Sequence, residues 1–411
     1  MRNMLLVVLL LASAAAIHAK GSATTGTDVS NTPATSPDDP LAPWRTGVTV
    51  HPVSDVAGRH TIHTYYLTRP ESPDPGGSRI LFYASTTPEG HHGDLIVRNR
   101  ATGEETTIAH DIDTEDAHRA ACQSWLSGGK RVAYHDVKDN HWSVHIVDMG
   151  TMTDRIAATD HQVCFAPGNS DVVPVYGPHW KPGDHRGLEF LNAVTGELKE
   201  IVPITAVEAK YGDWLAKEFG GKPTSVFFGN ISPDGNRVFW KMAAPGSSED
   251  YRSKAASHRE GLVVYDLVEQ KFIFQRGKWG HPAWSPDSKA IIEVGNIYFD
   301  LERGGEMVRI PDLPQLGGCH PSYNPDGKLF VMDGPLGKLE KSPGEWGVLV
   351  CDLRGGTYVV LDRFDNSRGA KSWRKNHPHP VFSPDGHRIY YNVNATDWTQ
   401  LRVAEAAPGR F

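Results

Sequence analysis

The chain has 411 residues, a net charge of −7, 41 glycines and 29 prolines. A negative charge balance argues against a surface for nucleic acid or anionic membrane, so we expect neither as a partner. The abundance of turn-forming residues, with no long amphipathic run, favours strands joined by many turns. The composition therefore predicts an all-β protein.

The N-terminal region predicts export. Residues 1–19 carry an early positive charge at Arg2, an apolar run and a small-residue end, which is the pattern of a signal peptide. An uncleaved membrane anchor is the alternative, although the apolar stretch is short for a span. Residues 20–43 have the composition of a disordered leader, which leaves 44–411 for the folded domain. We expect a secreted or periplasmic monomer that is free of the membrane after cleavage.

A turn motif recurs along the rest of the chain. Its clearest copies are ISPDGNRVFW (231–240), WSPDSKAIIEV (284–294), YNPDGKLFVMD (323–333) and FSPDGHRIYYN (382–392). Pro presets φ, Asp bonds back to the backbone and Gly accepts positive φ, so each copy predicts a tight turn between two strands. Strong and weak copies together centre on Pro73, Ser127, Pro167, Pro233, Pro286, Pro325 and Pro384.

The spacing of these turns, 39 to 66 residues, suits four-stranded blades with unequal loops. The sequence therefore predicts a seven-bladed β-propeller, with a six-bladed ring or a β-sandwich pair as alternatives. The last copy leaves room for three strands, ending near LRVAE (401–405). We expect the segment TGVTVHPV (46–53) to supply the fourth strand and close the ring, which removes an exposed edge.

The position five residues before each turn should lie near the central channel. It holds, in order, Thr68, Cys122, Gln162, Phe228, His281, His320 and His379. Imidazole and thiolate together suit Zn²⁺, and carboxylates are missing from the set. We predict a divalent metal site, zinc first, from Cys122, His281, His320 and His379, with His377 able to replace one of them. The alternative is that each His-Pro pair caps the start of a strand.

Three more groups of side chains should surround the same mouth of the channel. His118, His135 and His141 are acid–base candidates, because imidazole titrates near neutral pH. In the long loop 244–261, Tyr251 could donate a proton, and Arg252 or Arg259 could pair with a carboxylate. The loop 176–187 offers a platform for an acidic sugar, made of Tyr176, Trp180 and Arg186.

The phrases GHPAWSPD, GCHPSYNPDG, HPHPVFSPDG and EDAHRAACQSW resemble those of the propeller polysaccharide lyases, namely oligogalacturonate lyase and the propeller-type ulvan lyases. The resemblance covers residues 60–405. It implies cleavage of a uronate-containing polysaccharide by β-elimination, in which a base removes the C5 proton and an acid serves the leaving oxygen at C4. A cation or Arg must neutralise the carboxylate, because charge develops there in the transition state.

The two kinds of lyase imply different sites. Resemblance to oligogalacturonate lyase assigns His320, His377 and His379 to a catalytic metal completed by a Gln, but Arg374 stands at the Gln position. Resemblance to ulvan lyase places His118 and a second His at the reaction centre and makes the metal structural. The EDAHR phrase favours the second version. We therefore predict a secreted lyase for an ulvan-like acidic polysaccharide, with oligogalacturonate lyase and a non-catalytic TolB-like binding propeller as alternatives.

Overall fold

A computed structural model of the chain describes residues 38–278, 280–317, 319–340 and 344–406. The predicted signal peptide (1–19) and leader residues 20–37 lie outside the described residues. None of the helices in these ranges is long and apolar enough to cross a membrane.

The described chain forms seven antiparallel sheets of four strands each, so the prediction of a seven-bladed propeller is confirmed. The first two blades contain β2 (His60–Ile62), β3 (Arg79–Ser85), β4 (His92–Asn99), β5 (Glu105–Asp113), β6 (Ser124–Leu126), β7 (Arg131–Lys138), β8 (His141–Asp148) and β9 (Thr153–Thr159). The third and fourth contain β10 (Gln162–Val163), β11 (Val172–Tyr176), β12 (Leu188–Asn192), β13 (Leu198–Val202), β14 (Ser225–Ile231), β15 (Arg237–Pro245), β16 (Ser257–Asp266) and β17 (Lys271–Arg276). The fifth and sixth contain β18 (Ala283–Trp284), β19 (Ala290–Glu293), β20 (Ile297–Asp300), β21 (Glu306–Arg309), β22 (Ser322–Tyr323), β23 (Leu329–Pro335), β24 (Glu345–Asp352) and β25 (Tyr358–Asp365). The seventh contains β26 (Val381–Phe382), β27 (Arg388–Val393), β28 (Gln400–Glu405) and β1 (Thr49–Pro52).

Each of the seven motif copies joins the first and second strands of its blade. The turn of the fourth blade shows the chemistry that the motif implies. The carboxylate of Asp234 accepts a hydrogen bond from the backbone N–H of Asn236 at 3.0 Å, and Gly235 has φ +77°. A side chain that bonds its own backbone and a residue tolerant of positive φ specify this turn locally.

The ring is closed as predicted, by β1 on the outer edge of the seventh blade. β1 pairs antiparallel with β28, with Thr49 opposite Glu405 and Pro52 opposite Arg402. Just before β1, the short helix α1 (Ala42–Arg45) buries Trp44 against the ring of Phe382, with ring centroids 5.7 Å apart. Leu41, within the segment expected to be a leader, is also fully buried, so packing begins upstream of residue 44.

A helix that the sequence analysis missed lies between the third and fourth blades. α2 (Ile204–Phe219) follows Pro203 and ends at Gly220, which has φ +64°. Its buried residues are Val207, Leu215 and Phe219, spaced eight and then four positions apart, which places them on one side of the helix. A four-residue helix, α3 (Gly337–Glu340), lies in the sixth blade.

The centre of the ring is filled by the excursion between β2 and β3. Tyr65 and Tyr66 are both almost completely buried there, with ring centroids 4.5 Å apart. Beyond them, a cavity of about 460 Å³ opens among the prolines of the turn motifs. The histidines that precede the inner strands lie toward the other mouth, because these residues and the turns flank opposite ends of the same strands. The two tyrosines therefore separate two mouths of the channel.

Candidate metal and anion site

Four imidazoles converge at the mouth opposite the turns. They belong to His118, His320, His377 and His379, and one ligand-capable nitrogen from each lies within 4.8 Å of the others. The centroid of the His379 ring is 4.5 Å from those of both His118 and His320. Tyr65 forms the floor of this group, with its ring centroid 4.5 Å from that of His379. We call these four residues the histidine cluster.

Hydrogen bonds between two inter-blade connections bring His118 into the cluster. The indole N–H of Trp373 donates to the carbonyl of Glu115 at 2.9 Å, and the Asn376 side chain donates to the carbonyl of Ala117 at 2.8 Å. His118 then donates from Nδ1 to the carbonyl of Lys375 at 2.9 Å. This bond fixes the tautomer of His118 and leaves the Nε2 lone pair free to bind a metal.

The cluster has the chemistry of a metal site. Both ring nitrogens of His379 and Nδ1 of His377 are buried with no hydrogen-bond partner among the described residues. Burial lowers the pKa of His320 to about 3 and that of His377 to about 4, and it takes the pKa values of His118 and His379 well below the usual value. Four neutral imidazoles, two of which have unsatisfied buried nitrogens, fit a divalent transition metal, which binds the deprotonated ligand.

Two of the predicted ligands, Cys122 and His281, are not in the cluster. The Cys122 thiol is packed in the apolar core, where burial raises its pKa to about 12. The backbone N–H of Cys122 donates to the carbonyl of Arg119 at 3.0 Å, so the chain makes a turn at residues 119–122, just before β6. His281 stays next to the cluster, with its ring centroid 4.3 Å from that of His320. It donates from Nδ1 to the carbonyl of Cys319 at 3.0 Å, which leaves Nε2 unprotonated.

The three acid–base candidates of the second blade are separated by the fold. His118 belongs to the histidine cluster. His135 is buried against Trp142, with ring centroids 5.3 Å apart, and burial lowers its pKa to about 3. His141 is at the surface, with 83% of its side chain exposed and Nδ1 3.8 Å from Asp160. The structure therefore does not bring His118 and His141 together as an acid–base pair.

A group of arginines borders the cluster. A narrow cleft is lined by Tyr65, Arg119, Phe227, Phe228 and Arg374. Nη2 of Arg119 is 2.7 Å from Oε2 of Glu115, and Nη2 of Arg259 is 4.0 Å from Oε1 of the same carboxylate. Nη1 of Arg374 is 3.9 Å from Oδ2 of Asp116. Arg259 also stacks on Phe227, with Cζ 4.7 Å from the ring centroid. Three guanidinium groups and two carboxylates therefore lie together at the border of the histidine cluster.

Three other side chains predicted for the site, those of Tyr251, Arg252 and Tyr176, each have defined partners within the fold. The ring of Tyr251 packs against those of Trp142 and Trp180, at centroid distances of 5.4 and 5.6 Å. Arg252 lies over the Tyr251 ring and donates to the carbonyl of Thr114 at 3.3 Å. Tyr176 is fully buried, and its hydroxyl accepts a hydrogen bond from Arg119 at 3.2 Å.

Arg186 was expected to contact substrate, and its guanidinium has polar partners within the fold. Its Nη2 is 2.5 Å from Glu208 of α2, and its Nε donates to the carbonyl of Thr224 at 2.7 Å. Sequence reasoning also missed three residues of the site, namely Arg119, Glu115 and Asp333. The EDAHR phrase was the signal for Glu115 and Arg119. Asp333 is the last residue of the YNPDGKLFVMD copy, but the turn motif by itself does not separate it from other residues of the second strand.

Comparisons with known proteins bear on the fold. No protein-family model matches the chain. Among curated proteins, the chain is 23% identical over 208 residues to the uncharacterized peptidase YuxL of Bacillus subtilis (strain 168), a match to 42% of this chain and 30% of that protein. The chain thus spans less than a third of this relative's length.

Two solved structures are similar along almost the whole chain. An oligogalacturonate lyase in complex with manganese has a TM-score of 0.61 at 16% identity, covering 94% of this chain and 97% of that one. An oligogalacturonate lyase from Vibrio parahaemolyticus has a TM-score of 0.60 at 16% identity, covering 95% and 98%. At this identity the likeness shows that the folds agree.

Proposed function

We propose that the protein is a metal-dependent polysaccharide lyase that cleaves a uronate-containing chain by β-elimination. The observation that carries this proposal is the placement of a metal-type histidine cluster beside three arginines. A uronate offers a carboxylate to such a site, and its C5 proton becomes removable only when the developing charge on that carboxylate is met. The described site offers two kinds of positive group for this charge: a metal ion held by the histidine cluster, and the neighbouring arginines.

His118, His320, His377 and His379 would hold the ion. When bound, a divalent cation polarises the substrate carboxylate and so acidifies the adjacent C5 proton. Imidazole nitrogens suit zinc, and one structurally similar lyase was solved with manganese, so both metals are candidates. To leave a place for the substrate carboxylate, zinc would take three of these four imidazoles. Because His118 lies in the cluster, we assign it as a ligand rather than as the base that its sequence context predicted.

His281 is positioned to act as the base. Its Nδ1–H is held by the carbonyl of Cys319, so the lone pair on Nε2 is available beside the histidine cluster. In the proposed reaction Nε2 takes the C5 proton, a double bond forms between C4 and C5, and the C4–O bond breaks. Arg259 and Arg374 would hold the substrate carboxylate, and Tyr251 stays the predicted proton donor to the leaving oxygen.

The test is incubation of the purified protein with polygalacturonate, ulvan, alginate and glycosaminoglycans. The conjugated C4=C5 product is followed by its ultraviolet absorbance, which a hydrolase product lacks. Metal-free protein and protein reloaded with MnCl₂ or ZnCl₂ are compared on each polymer. We expect absorbance to rise with at least one uronate polymer and only after metal is restored. No rise with any polymer or metal would remove the lyase proposal and favour a non-catalytic binding propeller.

A further inference from the structure

A second group of metal-type ligands lies in the third blade, apart from the histidine cluster. It consists of His161, His185 and Glu189, with one ligand atom from each within 4.8 Å of the others. His161 stands directly before β10, His185 lies in the loop before β12, and Glu189 is in β12. Nε2 of His161 is 2.9 Å from Glu189 Oε2, and Nδ1 of His185 is 3.0 Å from Glu189 Oε1.

The hydrogen bonds of His161 pose a problem that a cation would solve. Its Nδ1 is 2.6 Å from the carbonyl oxygen of Thr159, which can only accept, so Nδ1 carries the proton. A neutral His161 then turns the lone pair of Nε2 toward the carboxylate of Glu189, and two acceptors face each other inside the protein. His161 is 1% exposed and Glu189 is 7% exposed, so water does not separate them.

Two arrangements remove this conflict: an imidazolium at His161 paired with Glu189, or a divalent cation that His161 and Glu189 both bind. The ring centroids of His161 and His185 are 4.3 Å apart, and each ring approaches a different oxygen of the same carboxylate. A single divalent cation can accept the lone pairs of both rings and share the carboxylate.

We infer that His161, His185 and Glu189 form a second divalent-metal site, of the zinc type. Two imidazoles and one carboxylate are a common ligand set for zinc sites that keep an open position. The His185 side chain is 43% exposed, which gives the ion a way in and leaves room for a water as the fourth ligand.

The surroundings hold His185 in place before any ion binds. Its neighbour Arg186 is fixed to α2 and to the segment leading into β14 through Glu208 and Thr224. A β-carbon at Gly177 would lie 2.7 Å from the carbonyl oxygen of His185, so the two ends of the loop between β11 and β12 touch. That loop carries Trp180, which packs against Tyr251. The proposed ion would therefore hold one end of the loop between β11 and β12, which borders the candidate active site.

Zinc content tests this inference. Chelator-treated wild type, His185→Ala and His110→Ala are incubated with ZnCl₂, desalted and analysed for metal by mass spectrometry. His110 is the matched control, because it is an exposed imidazole 3.8 Å from a carboxylate, Asp94, without a third ligand. We expect His185→Ala to bind one zinc ion per chain fewer than wild type and His110→Ala to match wild type.

The same comparison in a His320→Ala background separates this site from the histidine cluster. There we expect the remaining zinc ion to be lost on adding His185→Ala, and ZnCl₂ to raise the Tm only while His185 is present. Glu189→Gln serves as the second variant if circular dichroism shows that His185→Ala is misfolded. Equal zinc content with and without the substitution, in both backgrounds, would overturn the inference. This result is independent of the ultraviolet assay for lyase activity.

Discussion

Asp333 and His320 are joined by a two-point contact in the sixth blade. Asp333 Oδ1 accepts a hydrogen bond from the backbone N–H of His320 at 2.7 Å, and both carboxylate oxygens lie 3.0 Å from its Nδ1. The same carboxylate accepts a hydrogen bond from the backbone N–H of His379 at 3.3 Å. Asp333 thus positions two imidazoles of the histidine cluster from neighbouring blades, and it directs Nε2 of His320 away from itself.

We expect Asp333→Asn to weaken metal binding by about 10–100-fold, the usual effect of removing a group that orients a metal ligand. The amide keeps the size of the side chain but offers one acceptor oxygen instead of two. Competition with a chelator, using MnCl₂ and ZnCl₂, measures the change. Asp362→Asn is the control, because Asp362 is a partly buried carboxylate of the same blade, 12% exposed, that accepts a hydrogen bond from Tyr391 instead. Equal losses in the two variants would refute an orienting role for Asp333.

Replacing His281 and replacing His320 should have different consequences. His281→Gln should keep the bound metal and lower turnover by about 10²–10⁴-fold, the typical contribution of a positioned base. His320→Ala should lose both metal and turnover, because it removes a ligand. Metal analysis and the ultraviolet assay on the same preparations separate the two. If His281→Gln loses the metal as well, His281 is a ligand, as its sequence position predicted.

Arg259→Gln and Arg374→Gln should each slow the reaction by about 10²–10³-fold, the range found when one donor to a developing oxyanion is removed. Arg237→Gln is the matched control, since that guanidinium donates to the carbonyl of Ser288 at 2.7 Å and lies at the turn end of the fourth blade, away from the histidine cluster. Steady-state kinetics then assigns the roles. A rise in KM alone would mean that the arginine binds the carboxylate equally in the ground and transition states, and an unchanged kcat/KM would exclude it from the site.

Buried neutral histidines should make the protein sensitive to acid. Burial lowers the pKa of His135 to about 3, below the value near 6.5 expected in the unfolded chain. Between these values the unfolded state binds more protons, so this contribution is full above pH 6.5 and is lost as the pH falls toward 3. The loss is about 1.4 kcal/mol per pH unit for such a group. Urea unfolding of wild type and His135→Gln from pH 7 to 4 should show a shallower decline in the variant. Parallel curves would contradict this account.

Closure of the ring should depend on the segment before β1. Trp44→Ala should cost about 3–5 kcal/mol in the free energy of unfolding, because it leaves a cavity against Phe382. Val56→Ala is the control, since Val56 is 52% exposed and should change stability by less than about 0.5 kcal/mol. Chemical denaturation measures both. A cost for Trp44→Ala as small as that of the control would show that the N-terminal segment does not hold the ring closed.

The sequence alone determined the number of blades, the place of each inner turn and the strand that closes the ring. The turns are local, because Pro, Asp and Gly in succession specify them. The closing strand followed from counting, because the last motif copy leaves room for only three strands. Helix α2 was not predicted because it has only three buried residues, Val207, Leu215 and Phe219, which give a weak amphipathic pattern in the sequence.

Only the tertiary structure decided which side chains meet. Three of the four residues of the histidine cluster were among the predicted metal ligands, but His118 joins them through hydrogen bonds between the connections into the second and seventh blades. Cys122 also stands five residues before its turn motif, yet a turn at residues 119–122 leaves its thiol in the core. Repeated motifs report the conformation of each blade, whereas a site at the channel mouth depends on irregular segments that the closed ring forces into contact.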